Sequence, residues 1–208
     1  MNLDIFTHRL NELYQPPSGK LTLVDVPEMK YLMIDGTGDP QGPDFQAAVK
    51  WIFSLAHLIK PFIKETLGAR FVEPPLECLF WSEEAEVFST LSKDRWKWRV
   101  MIVVLDLVTD DLFQDAAAKA AARLGPAPNS LRLDSYTEGQ CVQTLHVGDY
   151  SGVSDICRTL YHEFLPAHDL KPGGFYHEIY LNDPNRVAPE KRRIVVRQPV
   201  TQAVKVSP

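Results

Sequence analysis

Apolar and polar residues alternate from Gly174 to Pro184. Phe175, His177, Ile179 and Leu181 fall on one side, and Tyr176, Glu178 and Tyr180 on the other. That period of two predicts a strand with one mostly apolar face and one face that sets a carboxylate between two phenols. Asp183-Pro184 should end it, because proline cannot go on donating to a ladder. The strongest helical pattern runs over 44–66, where Phe45, Val49, Ile52, Ala56, Ile59 and Ile63 recur at spacings of three and four, with a second stripe of Trp51, Leu55, Leu58 and Phe62. A helix apolar on two sides is deeply buried or meets a second surface. Pro61 is expected to kink or weaken its last turns.

The remaining pattern predicts a short helix over 4–14, a linker at Pro16-Pro17-Ser18-Gly19, and a hairpin of strands Leu21–Val26 and Tyr31–Ile34. Further strands are expected at Leu76–Ser82 and Arg95–Leu105. Glu77, Leu79 and Trp81 share one face of the first, and Leu76, Cys78 and Phe80 the other. Trp96, Trp98, Val100, Ile102 and Val104 lie on one side of the second, where the two tryptophans read as core or rim. The acidic run Glu83 to Glu86 reads as a solvated loop. An alanine-rich helix over 110–124 should be capped near Thr109 or Asp110. Strands Leu131–Tyr136 and Gln140–Val147 flank the turn Thr137-Glu138-Gly139. A helix over 150–164 carries Val153, Ile156, Cys157, Leu160 and Phe164 along one stripe, and a last strand covers Ile194–Val200.

Composition narrows the classes. The 208 residues are 45% hydrophobic, enough for a real core, and the formal net charge is −5. No basic footprint for nucleic acid exists; the cluster Lys191-Arg192-Arg193 with Arg197 reads as a solvated strand edge. Three widely spaced cysteines, Cys78, Cys141 and Cys157, argue against a disulfide framework or zinc knuckle and for small buried side chains. The amino terminus lacks the charge-then-apolar pattern of a signal peptide, and no stretch nears the ~18 apolar residues of a membrane span. A cytoplasmic protein is expected.

Several familiar chemistries do not fit. Asp35-Gly36-Thr37-Gly38-Asp39-Pro40-Gln41-Gly42-Pro43 has glycines at the wrong spacing for a dinucleotide fingerprint, and its two aspartates would repel phosphate. His162-Glu163 lacks the second histidine of a zincin, and there is no G-x-S-x-G elbow. No metal ligand set and no cofactor are expected. His177 and Glu178 face opposite ways on a regular strand, so they do not form a dyad. Glu178 between two aromatic rings could hold an oily cation, or handle protons if desolvated. The same alternation also describes a wet sheet face.

The order of elements repeats. A strand, an acidic glycine turn, an amphipathic helix and two strands occur in each half, with a glutamate beside aromatics in the first strand after each helix: Glu77 near Phe80 and Trp81, and Glu178 near Tyr176 and Tyr180. Two similar layers with helices on one sheet face are expected. Their other faces would form a shared cleft across a pseudo-two-fold axis.

The stretches Val26-Pro27-x-x-x-Tyr31-Leu32-Met33-Ile34-Asp35-Gly36-x-Gly38-Asp39-Pro40, Pro75-Leu76-Glu77-x-Leu79-x-Trp81, Trp96-x-Trp98-x-x-Met101-Ile102 and His177-Glu178-Ile179-Tyr180-Leu181-x-Asp183-Pro184, with Ala188-Pro189-Glu190-Lys191 and Arg197-Gln198-Pro199-Val200, resemble stand-alone GyrI-like small-molecule-binding proteins over nearly the whole chain. The resemblance implies an α+β fold of duplicated strand–helix–strand–strand (SHS2) units with a central ligand cleft. It implies one domain over 1–208, with halves at about 20–106 and 107–200 after an N-terminal helix and linker at 1–19. Relatives take up bulky aromatic or cationic compounds, and a subset hydrolyses the cyclopropane of DNA-alkylating natural products, a detoxification. The cleft glutamate of the family matches Glu178. Carried over in this way, the catalytic candidates are Glu178 and Tyr180. The ligand-binding candidates are Glu178, Tyr176, Tyr180, Trp81, Glu77, Leu79, Trp98 and Met101. Where relatives have Gly-Leu-Trp-Trp, this chain has Cys78-Leu79-Phe80-Trp81; on a regular strand Cys78 and Phe80 point away from the cleft.

Three functions follow as expectations: a binder of hydrophobic or cationic small molecules, a hydrolase in which Glu178 activates water, and a non-catalytic partner-binding or inhibitory protein that uses the doubly apolar helix, with a homodimer as one form. No nucleic-acid or membrane partner is expected.

Overall fold

The computed structural model describes residues 3–67, 71–83 and 93–203. Glu83 is a bend, and the rest of the acidic run lies outside the described residues. The chain forms two compact units, Met1–His8 with Met29–Tyr136, and Arg9–Glu28 with Thr137–Pro208. Both are α+β. Helix α1 (Leu3–Tyr14) has its first residues in one unit and its last in the other.

The first unit contains β2 (Met29–Thr37), α2 (Pro43–Leu67), β3 (Leu76–Trp81), β4 (Lys97–Val104), α3 (Asp110–Leu124) and β5 (Arg132–Tyr136). Its strands pair antiparallel in the order β3-β4-β2-β5. Both apolar stripes of α2 contribute to the core. Phe45, Ile52, Ala56, Ile59 and Ile63 are buried from one and Trp51 and Leu55 from the other, while Phe62 stays exposed. Pro61 does not end this 25-residue helix. Phe45 packs against Phe80 and Trp98, with ring centroids 6.5 and 5.1 Å away. The side of β3 and β4 that carries Cys78, Phe80, Trp98 and Val100 therefore faces α2. Thr109 caps α3 by accepting from the Leu112 N–H.

The second unit contains β1 (Thr22–Val26), β6 (Gly139–Val147), α4 (Ser151–Thr159), β7 (Leu170–Pro172), β8 (Tyr176–Tyr180) and β9 (Arg193–Gln202). Strands run β1-β6-β9-β8, and β7 joins β9 near its end. The helix begun by α4 continues through a π-helical turn, Leu160–Phe164, and a short turn, Leu165–Ala167. It covers one sheet face: Leu160 and Leu165 pack with Val142, Leu170 and Val200, and Val153 with Ile194 and Val196.

The hairpin expected of the strands on either side of Pro27-Glu28 is not formed. β1 pairs with β6, Val26 opposite Gly139, and β2 pairs with β5, Met29 opposite Tyr136. Each short strand has exchanged partners, because the two-residue Pro27-Glu28 link carries the chain from one unit to the other instead of reversing it. The first unit has the order strand–helix–strand–strand, β2-α2-β3-β4; the second repeats it as β6-α4-β8-β9 with the short β7 inserted between helix and β8.

Arg197 is not on a solvated edge. It is completely buried, because β9 lies between β6 and β8. The glycine-rich stretch after β2 is a structural turn. Gly36 lies beneath the Trp98 indole, where a Cβ would come within 2.1 Å of the ring. Gly38 has φ 101° and donates to the Trp96 carbonyl at 2.8 Å. The Asp39 carboxylate accepts from the Gln41 N–H at 2.9 Å. The Gly38 and Gln41 N–H groups of the stretch are thus already engaged within the protein.

Candidate functional site

Glu178 sits in the middle of β8, opposite Val196 of β9. Its neighbours fix where the strand starts and stops. Before it, Gly173 donates to the Pro199 carbonyl at 2.9 Å, and Gly174 lies so close to Pro199 that a Cβ would be 3.0 Å from its ring. Beyond it, the Asn182 side chain takes over from the ladder, accepting from Arg193 N–H at 3.1 Å and donating to the Lys191 carbonyl at 2.8 Å. Asp183 then accepts from Asn185 N–H at 2.9 Å in a turn of its own.

The alternation read from the sequence holds. His177 and Ile179 are buried on one side, and Tyr176, Glu178 and Tyr180 are half-buried on the other. Both phenols donate to the carboxylate: Tyr176 Oη to Oε1 at 2.9 Å and Tyr180 Oη to Oε2 at 2.6 Å. Hydrogen bonds to an ionised acceptor are about twice as strong as neutral ones, so the two rings hold the carboxylate in one orientation. Burial raises the Tyr176 phenol well above its ordinary pKa, and the Glu178 and Cys157 groups beside it add to the rise. Tyr176 therefore remains a neutral donor.

The face that carries Glu178 is the one that α4 covers. Tyr176 and Tyr180, together with Ile156 and Cys157, pack against Val153, Ile194 and Val196. This departs from the expectation that Glu178 would project from a sheet face without helices. Cys157 belongs to the site and was read from the sequence only as a small core residue. It shares a hydrogen bond with Tyr176, and burial pushes its thiol up to about 11, so it is protonated at neutral pH. The sequence signal for this contact was the stripe of Val153, Ile156 and Cys157, which gave the helix face but not its partner strand.

The other sequence candidates lie in the first unit. Glu77, Leu79 and Met101 are fully buried and share the face of the β3–β4 sheet opposite α2. Trp81 is on that same face, with the Arg99 guanidinium 6.0 Å from its ring. Trp98 does not share it. It points to α2 and is buried at 2% exposure against Phe45, so β4 separates it from Met101. The echo between the two glutamates is therefore one of sequence order: Glu178 faces its own unit's helix and Glu77 faces away from its own. Sequence reasoning also passed over the cluster beside Trp81. Arg99 and Arg132 both bind Asp35, Arg99 Nε at 2.6 Å and Arg132 Nη2 at 3.1 Å. Burial raises the Asp35 pKa, but the two guanidinium groups outweigh it and leave the carboxyl below its ordinary value.

Among the described residues, no group of three or more His, Cys, Asp or Glu side chains could hold a metal ion, and no helix is long and apolar enough to cross a membrane.

Each unit is thus an antiparallel sheet under a helix, and the second holds one carboxylate between two phenols beneath an apolar helix face. Residues 20–200 match the GyrI-like small molecule binding domain, and the chain belongs to that family. A crystal structure of an uncharacterized conserved protein from Listeria innocua is 33% identical, with a TM-score of 0.82, covering 94% of this chain and 98% of that one. Another, of a protein described as a hydrolase from Listeria innocua, is 31% identical with a TM-score of 0.76 and the same coverage. The EcmrR C-terminal domain shares the fold at 12% identity, with a TM-score of 0.53, covering 88% of this chain and 98% of that domain. No curated protein matches the chain.

Proposed function

We propose that this protein binds bulky aromatic or cationic small molecules at Glu178, flanked by Tyr176 and Tyr180. The observation that carries the reading is the pair of phenol donors, at 2.9 and 2.6 Å, on one half-buried carboxylate. A cation approaching it would gain the carboxylate charge and the faces of two aromatic rings, in surroundings drier than bulk water. Trp81, Glu77, Leu79 and Met101 are kept as secondary ligand-binding candidates. Family membership supports small-molecule binding as the general activity.

A second reading, hydrolysis, is favoured by the Listeria innocua relative described as a hydrolase. In it Glu178 removes a proton from water as the water oxygen attacks a strained cyclopropane carbon. The ring C–C bond breaks, its electrons pass into a conjugated carbonyl, and the oxygen of that group takes up the proton that Glu178 removed, which restores the carboxylate. Tyr180, already donating to Glu178, would orient the base. A strained electrophile needs only a sparse site of this kind.

Mass spectrometry of a cyclopropane-bearing DNA alkylator incubated with the wild type and with Glu178→Gln separates these readings. A water adduct made catalytically by the wild type and absent with Glu178→Gln establishes hydrolysis. Intact compound that quenches tryptophan fluorescence establishes binding alone. Intact compound without quenching rules out this ligand class.

A further inference from the structure

The reverse side of β8 carries a second charged cluster, which the reading above does not use. Arg197 is completely buried, and each part of its guanidinium is engaged. Nε donates to Gln143 Oε1 at 2.9 Å, Nη1 to Glu138 Oε2 at 2.8 Å, and Nη2 to the Leu13 carbonyl in the last turn of α1 at 2.8 Å. The Tyr14 ring lies 6.0 Å from its centre. The other Glu138 oxygen meets His177 Nδ1 at 2.9 Å. Glu138 and His177 are as buried as Arg197. An ionised carboxylate only accepts, so Nδ1 carries the proton.

His177 and Arg197 are cross-strand partners in the β8–β9 ladder. A single carboxylate from the turn before β6 thus grips both members of one register pair. β8 has five residues, and His177, Glu178, Ile179 and Tyr180 are in register with β9. A slip of one residue would exchange its two faces. His177 would move toward α4, and Glu178 would enter the buried side beside Glu138, bringing two carboxylates together without water. The Glu138 clamp makes that slip costly.

We propose that Glu138 is a positioning residue for the Glu178 site. It touches no ligand. Through His177 and Arg197 it holds β8 in the register that presents Tyr176, Glu178 and Tyr180 together, and so it sets the preference for cations over neutral aromatics. The inference rests on the reading of Glu178 as the cation-binding group.

The test compares ethidium, a flat aromatic cation, with Nile red, a neutral aromatic dye. Both are titrated into the wild type, Glu178→Gln, Glu138→Gln and Glu138→Gln/Arg197→Gln, with folding checked by circular dichroism. The double variant leaves neither member of the buried pair charged, so it carries the test if Glu138→Gln fails to fold. The wild type is expected to prefer ethidium. Glu178→Gln should cut that preference about tenfold, the effect of losing one ion contact of ordinary strength. A folded Glu138 variant should cut it to a similar degree while binding Nile red as before. Loss of both dyes in parallel, an unchanged preference in a folded Glu138 variant, or failure of both Glu138 variants to fold overturns the proposal. If the wild type shows no preference and Glu178→Gln changes nothing, the cation reading of Glu178 fails, and this inference with it. A preference lost in Glu178→Gln but kept in the Glu138 variants sinks the inference alone.

Discussion

A methyl group on Gly36 would sit 2.1 Å from the Trp98 ring. The ring is buried against Phe45, and cores packed to crystal density yield little. Gly36→Ala should therefore destabilise the protein by about 1–3 kcal/mol, the usual cost of overpacking, seen as a lower thermal midpoint. An unchanged midpoint would mean that the indole can move aside. The glycine's role was hidden in the sequence, where Asp35-Gly36-Thr37-Gly38 resembles a phosphate loop; only the register that sets Gly36 opposite Trp98 explains it. The site residues of β8 were different. Tyr176, Glu178 and Tyr180 share a face because strand geometry demands it, and that was legible without any fold. Cys157 was not, because its contact with Tyr176 joins a helix to a strand, and periodicity within either element does not say which faces meet.

At the level of elements, helix ends and apolar stripes were read well. The α3 cap is Thr109, whose hydroxyl accepts from Leu112 N–H at 3.3 Å. Thr109→Ala should cost about 0.5–2 kcal/mol, measurable by denaturant unfolding; a change below that range would show that the long hydrogen bond contributes little. Strand pairing was read less well. Local turn signals favoured a hairpin at Pro27-Glu28, yet the strands on either side of it, like those around Thr137-Glu138-Gly139, pair elsewhere. A turn of a few residues is compatible with reversal or with crossing over. The choice between them is made by long-range ladders, which sequence patterns do not encode. The π-helical turn at Leu160–Phe164 was likewise invisible as a helical irregularity, although it brings Tyr161 to donate to Gln198 at 2.6 Å.

For the whole molecule, the buried Glu138 cluster ties stability to pH. Burial alone would raise the Glu138 pKa. The charges and hydrogen bonds of His177 and Arg197 overcome that and hold it down, from an ordinary 4.5 to about 2. A depressed carboxyl pKa means that the unfolded chain binds the proton first. The cluster's contribution is thus present above pH ~4.5 and is lost as pH falls toward ~2. Unfolding free energies measured across that acid range should drop with falling pH more steeply for the wild type than for Glu138→Gln/Arg197→Gln. Equal slopes would show that Glu138 does not couple proton uptake to unfolding.

Some of this protein was decided by the sequence alone. Periodicities of 2 and 3.6 set which residues became strands and helices, and which side chains shared a face, because backbone geometry imposes them on any chain. The carboxylate between two phenols on β8 followed from that. Tertiary structure decided what each face meets. It put α4 over Glu178, set Trp98 away from Met101, exchanged the partners of β1 and β2, and buried the side chains of Glu138, a turn residue, and of Arg197, which read as solvated. Each of these depends on which strand lies beside which, and that is chosen by contacts between residues far apart in the chain.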